Sequence, residues 1–446
     1  MNTSVSNYRR QQVTTIGTMY IGYAMSMVLR MIPTVAGTSI REDASLGIDL
    51  ESWGKVLAAG TCGALTGKFL CGWAADKFGG KRTFTIALFV ASLFVGLFAM
   101  SSSLIMFQAT FFVTLMAQAA GWPSMTKIIV NWVAPKQYGR VWGILSTSSR
   151  VGTLTATFVL GSLLAWISWR GMLWIAAAAG MGIAVFYAIA MKDKPDTAIP
   201  DDDCETPTDP TGSTSAKAPH AFDGMSLLQT LPHFFASLRF WLISGSLMGL
   251  TILWDFLLMV PMYLQDTLSL DTAQASRAAS AFPLGSLISV LIGGFVFDRL
   301  DRKTMAWVMA GLLLTATGCL LVFATLPQLQ LTGTTAMLVS LMLLFLFGLC
   351  LSPCYYIPAS VFSIDFGGPH SGFLVAILDA MGFAATAAFY YFGGGIAQNS
   401  GWSTFLFVLA AVCLWSLFAT FFFMQREARN LRRRTTAALS QSASKP

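Results

Sequence analysis

The chain has 446 residues, 55% of them hydrophobic and 11% charged, and its mean hydropathy is +0.64. Soluble domains hold about 45–50% apolar and about 25% charged residues, so this composition excludes ordinary globular, disordered and collagen-like classes and makes lipid the solvent for most of the chain. A net charge of +7 would point a soluble protein toward nucleic acid; in a membrane protein the excess belongs to loops on the cytoplasmic side, and no nucleic-acid partner is expected.

A membrane-spanning helix needs about 20 mostly apolar residues. The runs that meet this lie at roughly 13–39, 53–75, 84–101, 104–126, 140–167, 170–191, 240–264, 274–297, 305–326, 333–362, 372–396 and 402–424. They predict an all-α membrane protein of twelve transmembrane helices. The polar start, residues 1–12, forms a tail, and the first apolar run is too long for a cleaved signal peptide. Residues 192–239 are polar, with an acidic cluster at Asp201, Asp202, Asp203 and Glu205, and read as a flexible cytoplasmic linker between six-helix bundles at 13–191 and 240–424. A basic tail, 425–446, follows. Arg9, Arg10, Lys77, Lys81, Arg82, Arg426 and Arg429 gather on one side, while Glu42, Asp43, Asp49, Glu51, Asp266 and Asp271 gather on the other. This asymmetry places both termini in the cytoplasm of a multi-pass protein of the cell inner membrane.

The two bundles repeat. Gly72 to Arg82 reads GWAADKFGGKR, and Gly293 to Lys303 reads GGFVFDRLDRK. A shift of 222 residues superposes Gly72 on Gly294 and Asp76 on Asp298. The glycines permit close helix approach, and the basic residues, Lys77, Lys81 and Arg82 in the first copy and Arg299 in the second, hold a short cytoplasmic turn. Gly79 completes the gating motif. A weaker echo matches Ile144-Leu145-Ser146 to Ile377-Leu378-Asp379. Repeated halves around a midplane site are the architecture of a secondary transporter.

The motif, its degenerate copy and the six-plus-six layout resemble the major facilitator superfamily along the whole chain. Gly121 to Trp132, GWPSMTKIIVNW, the following PKQYGR, MVLRMIP around Arg30 and GKF around Lys68 are similar to the organophosphate:phosphate antiporter family and its anion:cation symporter relatives. The resemblance implies that Arg30 corresponds to the first-helix arginine that binds a phosphoryl group and Lys68 to a cavity lysine of the second helix. Two positions depart from it. The seventh-helix arginine of that family falls at Leu253 and its fifth-helix histidine at Ser149, with Arg150 next. Phosphate exchange is thereby disfavoured relative to an organosulfonate or carboxylate, with phosphate esters next.

Ionisable side chains at bilayer depth cost about 2.5–3.5 kcal/mol each on insertion scales, so each needs a cavity or a partner. Arg30, Lys68, Arg150, Asp255 and Asp379 lie well inside their spans. The cations all fall in the N-terminal half and the carboxylates in the C-terminal half, which predicts a positive and a negative wall. Arg30 and Arg150 can grip an anion through forked hydrogen bonds, and Lys68 acts as a point charge. The alternative for each is a permanent pair that holds the fold or a gate, such as Lys68 with Asp379. Asp255 and Asp379 are the mid-span carboxylates available to carry a proton with the anion; anion exchange is the other route. No nucleotide-binding motif, metal spacing or set of nucleophile and base occurs, so neither an enzyme nor a cofactor is expected. The expected function is import of a small organic anion by alternating access, as a monomer in the bilayer. The alternative is a transporter-like receptor that senses the anion.

Overall fold

The computed structural model describes residues 3–134, 137–195, 227–297, 299–329, 333–367 and 371–443. Among them every regular element is helical, as lipid requires, because each backbone N–H and C=O must be paired within its own segment. In chain order the helices are α1 (Thr3–Arg30), α2 (Ile32–Glu42), α3 (Leu50–Phe78), α4 (Gly80–Ala99), α5 (Leu104–Gln118), α6 (Gly121–Trp132), α7 (Tyr138–Thr155, continued by a π turn, Ala156–Leu160), α8 (Trp169–Ala190), α9 (Leu227–Phe235), α10 (Leu238–Asp255), α11 (Val260–Leu268), α12 (Thr272–Ala279), α13 (Ala281–Phe297), α14 (Arg302–Thr325), α15 (Gly333–Gly367) and α16 (Ser371–Ala443). Side-chain caps start several of them: Asp49, Ser103, Ser168, Asp271 and Asp301 each accept from a backbone N–H in the first turn.

Nine stretches among the described residues are long and apolar enough to cross a membrane. α3, which carries Glu51, Lys55, Lys68, Asp76 and Lys77, and α7, which carries Arg140, Arg150 and the polar run Ser146 to Ser149, are not among them. The expected runs at 372–396 and 402–424 form one long helical segment, turned at Gly401, where φ is +81°. Only glycine enters that region readily. The polar tract 192–239 is also more ordered at its end than its composition suggests: α9 is apolar, its Phe234 is buried, and the ring packs 5.6 Å from Phe366. The acidic cluster Asp201 to Glu205, Asp298 and the Pro135–Lys136 part of the motif lie outside the described residues.

The chain divides into two compact units. The first gathers Met1–Pro219, Leu257–Pro283 and Ala387–Asn399; the second gathers His220–Phe256, Leu284–Thr386 and Ser400–Pro446. Inside the first, α3 lays Gly60, Gly63 and Gly67 on α5, so closely that a Cβ on Gly63 would lie 2.0 Å from the Phe112 carbonyl oxygen and one on Gly67 2.2 Å from that of Met116. Helices in lipid lack a hydrophobic drive toward one another, and such backbone approach is what packs them. Inside the second unit, a Cβ on Gly285 would lie 2.0 Å from the Phe345 carbonyl oxygen, and the buried hydroxyls of Ser246 and Thr420 share a 2.6 Å hydrogen bond.

The second unit is also closed by a buried ion pair. Arg239, at the start of α10, donates through Nε and Nη2 to the two carboxylate oxygens of Glu427 at 2.5 and 2.6 Å. Its guanidinium stands over Phe366 and Phe362 at 5.1 and 5.5 Å. Removing one partner strands a buried charge, so Glu427→Ala should lower unfolding stability by about 3 kcal/mol. Arg239→Met/Glu427→Leu should recover most of that loss when thermal unfolding of the purified variants is compared.

Candidate functional site

The first span is broken. α1 stops at Arg30, Met31 sits between helices (φ −84°, ψ 3°), and α2 begins at Ile32 with Pro33 in its first turn. A proline there loses no helical hydrogen bond, since first-turn N–H groups have no partner within the helix. Arg30 is therefore the last residue of a helix that ends mid-span, where exposed carbonyls favour a cation. The chain through α10 and α11 breaks in the same way. α10 ends at Asp255, a 3-10 turn covers Phe256–Leu258, and α11 carries Pro261 in its first turn. Asp255 is 4% exposed. The equivalent helix end thus carries a cation in one repeat and a carboxylate in the other.

Arg150 lies on α7 and is 2% exposed. Its Nη1 donates to the Ser146 carbonyl at 2.8 Å and to the Ser149 hydroxyl at 2.7 Å, so its own helix orients the guanidinium. α7 runs parallel to α1: Tyr20 pairs with Thr147 at 3.1 Å, and further along both helices a Cβ on Gly152 would meet the Ala24 carbonyl oxygen at 2.2 Å. At 1.5 Å per residue this register separates the Arg30 and Arg150 backbones by about 10 Å along the helix axes.

Asp379 occupies the corresponding place in the second unit. It precedes Gly382 by three residues, and a Cβ there would lie 2.7 Å from Thr251 Oγ1, one helical turn before Asp255. Counting back three residues from Gly152 gives Ser149, the neighbour of Arg150. The sequence echo pairs Asp379 with Ser146 instead; the glycine contacts shift that match by three residues, almost one turn. Lys68 is half-buried on α3, next to the glycine stripe that packs on α5. Aromatic rings flank both sets. Trp122 packs between Tyr23 and Trp142 at 5.4 and 5.0 Å, Trp254 stacks on Tyr355 at 5.7 Å, and Tyr356 meets Tyr355 edge-on at 4.8 Å.

The Gly72–Arg82 turn is held from both sides. Asp76 pairs with Lys127 of α6 at 2.6 Å, and Lys77 stands 4.9 Å over the Trp73 ring. Gly79 turns the chain at φ +85°. Asp193 falls in the tract expected to be linker, yet its carboxylate accepts from Lys81 N at 2.8 Å, its carbonyl accepts from Asn131 at 3.1 Å, and the carbonyl of neighbouring Lys192 accepts from Trp132 Nε1 at 2.9 Å. Arg82 is exposed. In the second copy Gly294 lies within α13 and Arg299 is exposed just past it.

At the opposite end of the first unit a polar clasp joins the two repeats. Arg41 meets Asp266 at 3.3 Å, and Glu42 accepts from Gln265 and from Thr272. Gln398 donates to Asp49 at 3.0 Å and accepts from Glu51 N at 2.8 Å. Beside it, Gly54 and Gly394 bring backbones together: a Cβ on Gly394 would lie 2.4 Å from the Leu50 carbonyl oxygen. Burial raises the Asp49 carboxyl, but hydrogen bonds from Ser52 and Gln398 outweigh it and hold the group below its ordinary 3.8. The Ser45 hydroxyl, helped by Arg170, likewise lowers Asp43 against desolvation. None of these long-range partners carries a local sequence signal.

Among the described residues no three His, Cys, Asp or Glu side chains are grouped to hold a metal ion. The family model described as Major Facilitator Superfamily matches residues 15–366 and 256–445. A probable sulfoacetate transporter, SauU, of Cupriavidus necator is 23% identical over 65% of this chain, and the match spans 65% of that protein, just under two thirds of its length. The human glucose-6-phosphate exchanger SLC37A1 is 23% identical over 78% of this chain and 73% of its own. Among solved structures, the nucleoside transporter NupG superposes with a TM-score of 0.65 over 92% of this chain and 98% of that one, at 16% identity, which shows the shared fold.

The clasp has a measurable weight. Asp49→Ala removes both a helix cap and the Gln398 contact and should lower stability by about 1 kcal/mol, while Asp49→Asn, which keeps a cap acceptor, should lose less. Because the native carboxyl is held below 3.8, its contribution is complete above that pH and is lost as pH falls through the lowered value. Thermal unfolding followed from neutral pH downward checks this: the loss of stability on acidification is larger in the wild type than in Asp49→Asn, and equal losses remove the Asp49 contribution.

Proposed function

We propose that this chain, which belongs to the major facilitator superfamily, imports a small organic anion through an inner membrane by alternating access, with both termini in the cytoplasm. An organosulfonate or carboxylate is favoured, and a phosphate ester comes next. The observation that carries this reading is the cation set of the first unit. Arg30 ends a helix inside the span, and Arg150 is 2% exposed with its guanidinium held by α7. Charges cost about 2.5–3.5 kcal/mol each at such depth, and an anionic ligand offsets that cost when it binds. The two guanidinium groups bind through forked hydrogen bonds, and Lys68 adds an unforked charge. Relatives named for sulfoacetate and glucose-6-phosphate carry anionic substrates in their names, which supports the same class here.

Coupling falls to Asp255 and Asp379, either as proton carriers in symport or as groups that shape the carrier's reorientation in anion exchange. The Gly72–Arg82 turn, with Asp76, Lys77, Gly79, Lys81 and Arg82, and its copy at Gly294, Asp298 and Arg299 gate the cytoplasmic side.

In proteoliposomes, Arg30→Lys and Arg150→Lys should each reduce uptake of a labelled sulfonate by about tenfold or more, because a fork is replaced by a point charge, with membrane insertion unchanged. Normal uptake in both variants removes the clamp, and binding without flux in the wild type favours a receptor. If Asp255 or Asp379 carries the coupled proton, Asp255→Asn or Asp379→Asn should abolish the response of flux to an imposed proton gradient; a full response in both variants removes them as proton carriers, and no response in the wild type leaves exchange as the mechanism.

A further inference from the structure

The last helix carries two crevices on the end of the second unit that bears the C-terminal segment. One, of about 260 Å³, lies between α10 and α16 and is lined by Leu238, Leu242, Phe422, Gln425, Arg426 and Arg429. The other, also about 260 Å³, lies between α14 and α16 and is lined by Lys303, Gln425, Ala428 and Arg429. Gln425 and Arg429 belong to both, so they form a ridge with a cation on each flank. Phe422, Gln425, Arg426 and Arg429 follow one another at the spacing of one helix face. No carboxylate lines either crevice; Glu427, on the opposite face of the same turn, is engaged by Arg239, and Asp301 caps α14 through Lys303 N at 3.1 Å.

Away from the ridge the walls become apolar. Leu238 and Phe422 are exposed, and the exposed indoles of Trp241 and Trp307 lie on the two helices that flank α16. Exposed tryptophans mark the level at which lipid headgroups meet the hydrocarbon. A general excess of basic residues at one membrane surface places cations there, but it does not set three of them around two adjoining grooves, one of which continues into an apolar trough.

From this arrangement we infer a site for an anionic glycerophospholipid. The headgroup phosphate sits on Arg426, Arg429 and Lys303, and an acyl chain runs along Leu238, Leu242 and Phe422. Basic pockets between membrane helices bind such headgroups by this chemistry. The occupant is a lipid and not free phosphate, because half of the first crevice offers hydrocarbon and no donor.

The test uses the purified, delipidated full chain. Native mass spectrometry after incubation with cardiolipin or with phosphatidylcholine should show cardiolipin retained and phosphatidylcholine washed away, and thermal unfolding should rise with cardiolipin and not with inorganic phosphate. Arg426→Gln/Arg429→Gln should weaken cardiolipin retention roughly thirtyfold, the effect expected for two surface cations. Leu242→Trp, which fills the trough and keeps the charges, should weaken it too. Should the double variant fail to fold, Lys303→Gln, an exposed position, should still weaken retention by about fivefold. Equal retention of phosphatidylcholine, an equal rise with inorganic phosphate, or undiminished retention by the charge variants overturns the site.

Discussion

Backbone contact at glycine sets the geometry on which everything else in this protein depends. Lipid gives helices no hydrophobic reason to associate, so their register is fixed where one backbone can touch another. Gly63 and Gly67 do this between α3 and α5, Gly152 between α7 and α1, Gly382 between α16 and α10, and Gly54 with Gly394 beside the polar clasp. A methyl group at most of these positions would overlap a carbonyl oxygen or a neighbouring backbone. Three of these contacts also carry a charge with them: Lys68 follows Gly67, Arg150 precedes Gly152, and Asp379 precedes Gly382. The placement of these three charges is thus tied to how the helices pack.

The repeat in the sequence is matched by a repeat of discontinuities. α1 and α10 both stop at a charged residue, the chain resumes in α2 and α11 with a proline in the first turn, and α7 and α16 approach α1 and α10 at a glycine just beyond a charge. The backbones of the two copies agree while the charges have opposite sign. One ancestral layout therefore supplies four comparable positions, Arg30, Arg150, Asp255 and Asp379, and leaves the chemistry at each to side-chain identity alone.

Much of this was legible in the sequence, for physical reasons that differ by element. Long apolar runs announce helices because lipid permits little else, and the Gly72–Arg82 turn announces itself because glycine, aspartate and basic residues recur at a fixed spacing. The five mid-span charges stand out against so apolar a background. The helix break at Met31 did not, because methionine has no breaking tendency and the proline that fixes the new start lies two residues later. Nor did Gly401, a single glycine among the chain's 39, show that it carries the sharp turn. Asp193 was hidden by its polar neighbours, and Gln398 with Asp49 by a sequence separation of 349. Contacts at such separation leave no pattern in a single chain.

The guanidinium of Arg150 has a consequence for affinity. Its Nη1 is tied to Ser146 and Ser149 of its own helix, and ordering a long flexible side chain at an interface otherwise takes about 0.5–1.5 kcal/mol. That entropy is surrendered within the protein, where the side chain is ordered against α7. In the proposed transport role, an anion reaching this residue would meet a group already held by its own helix, and the free energy of the encounter would be left to discriminate between shapes.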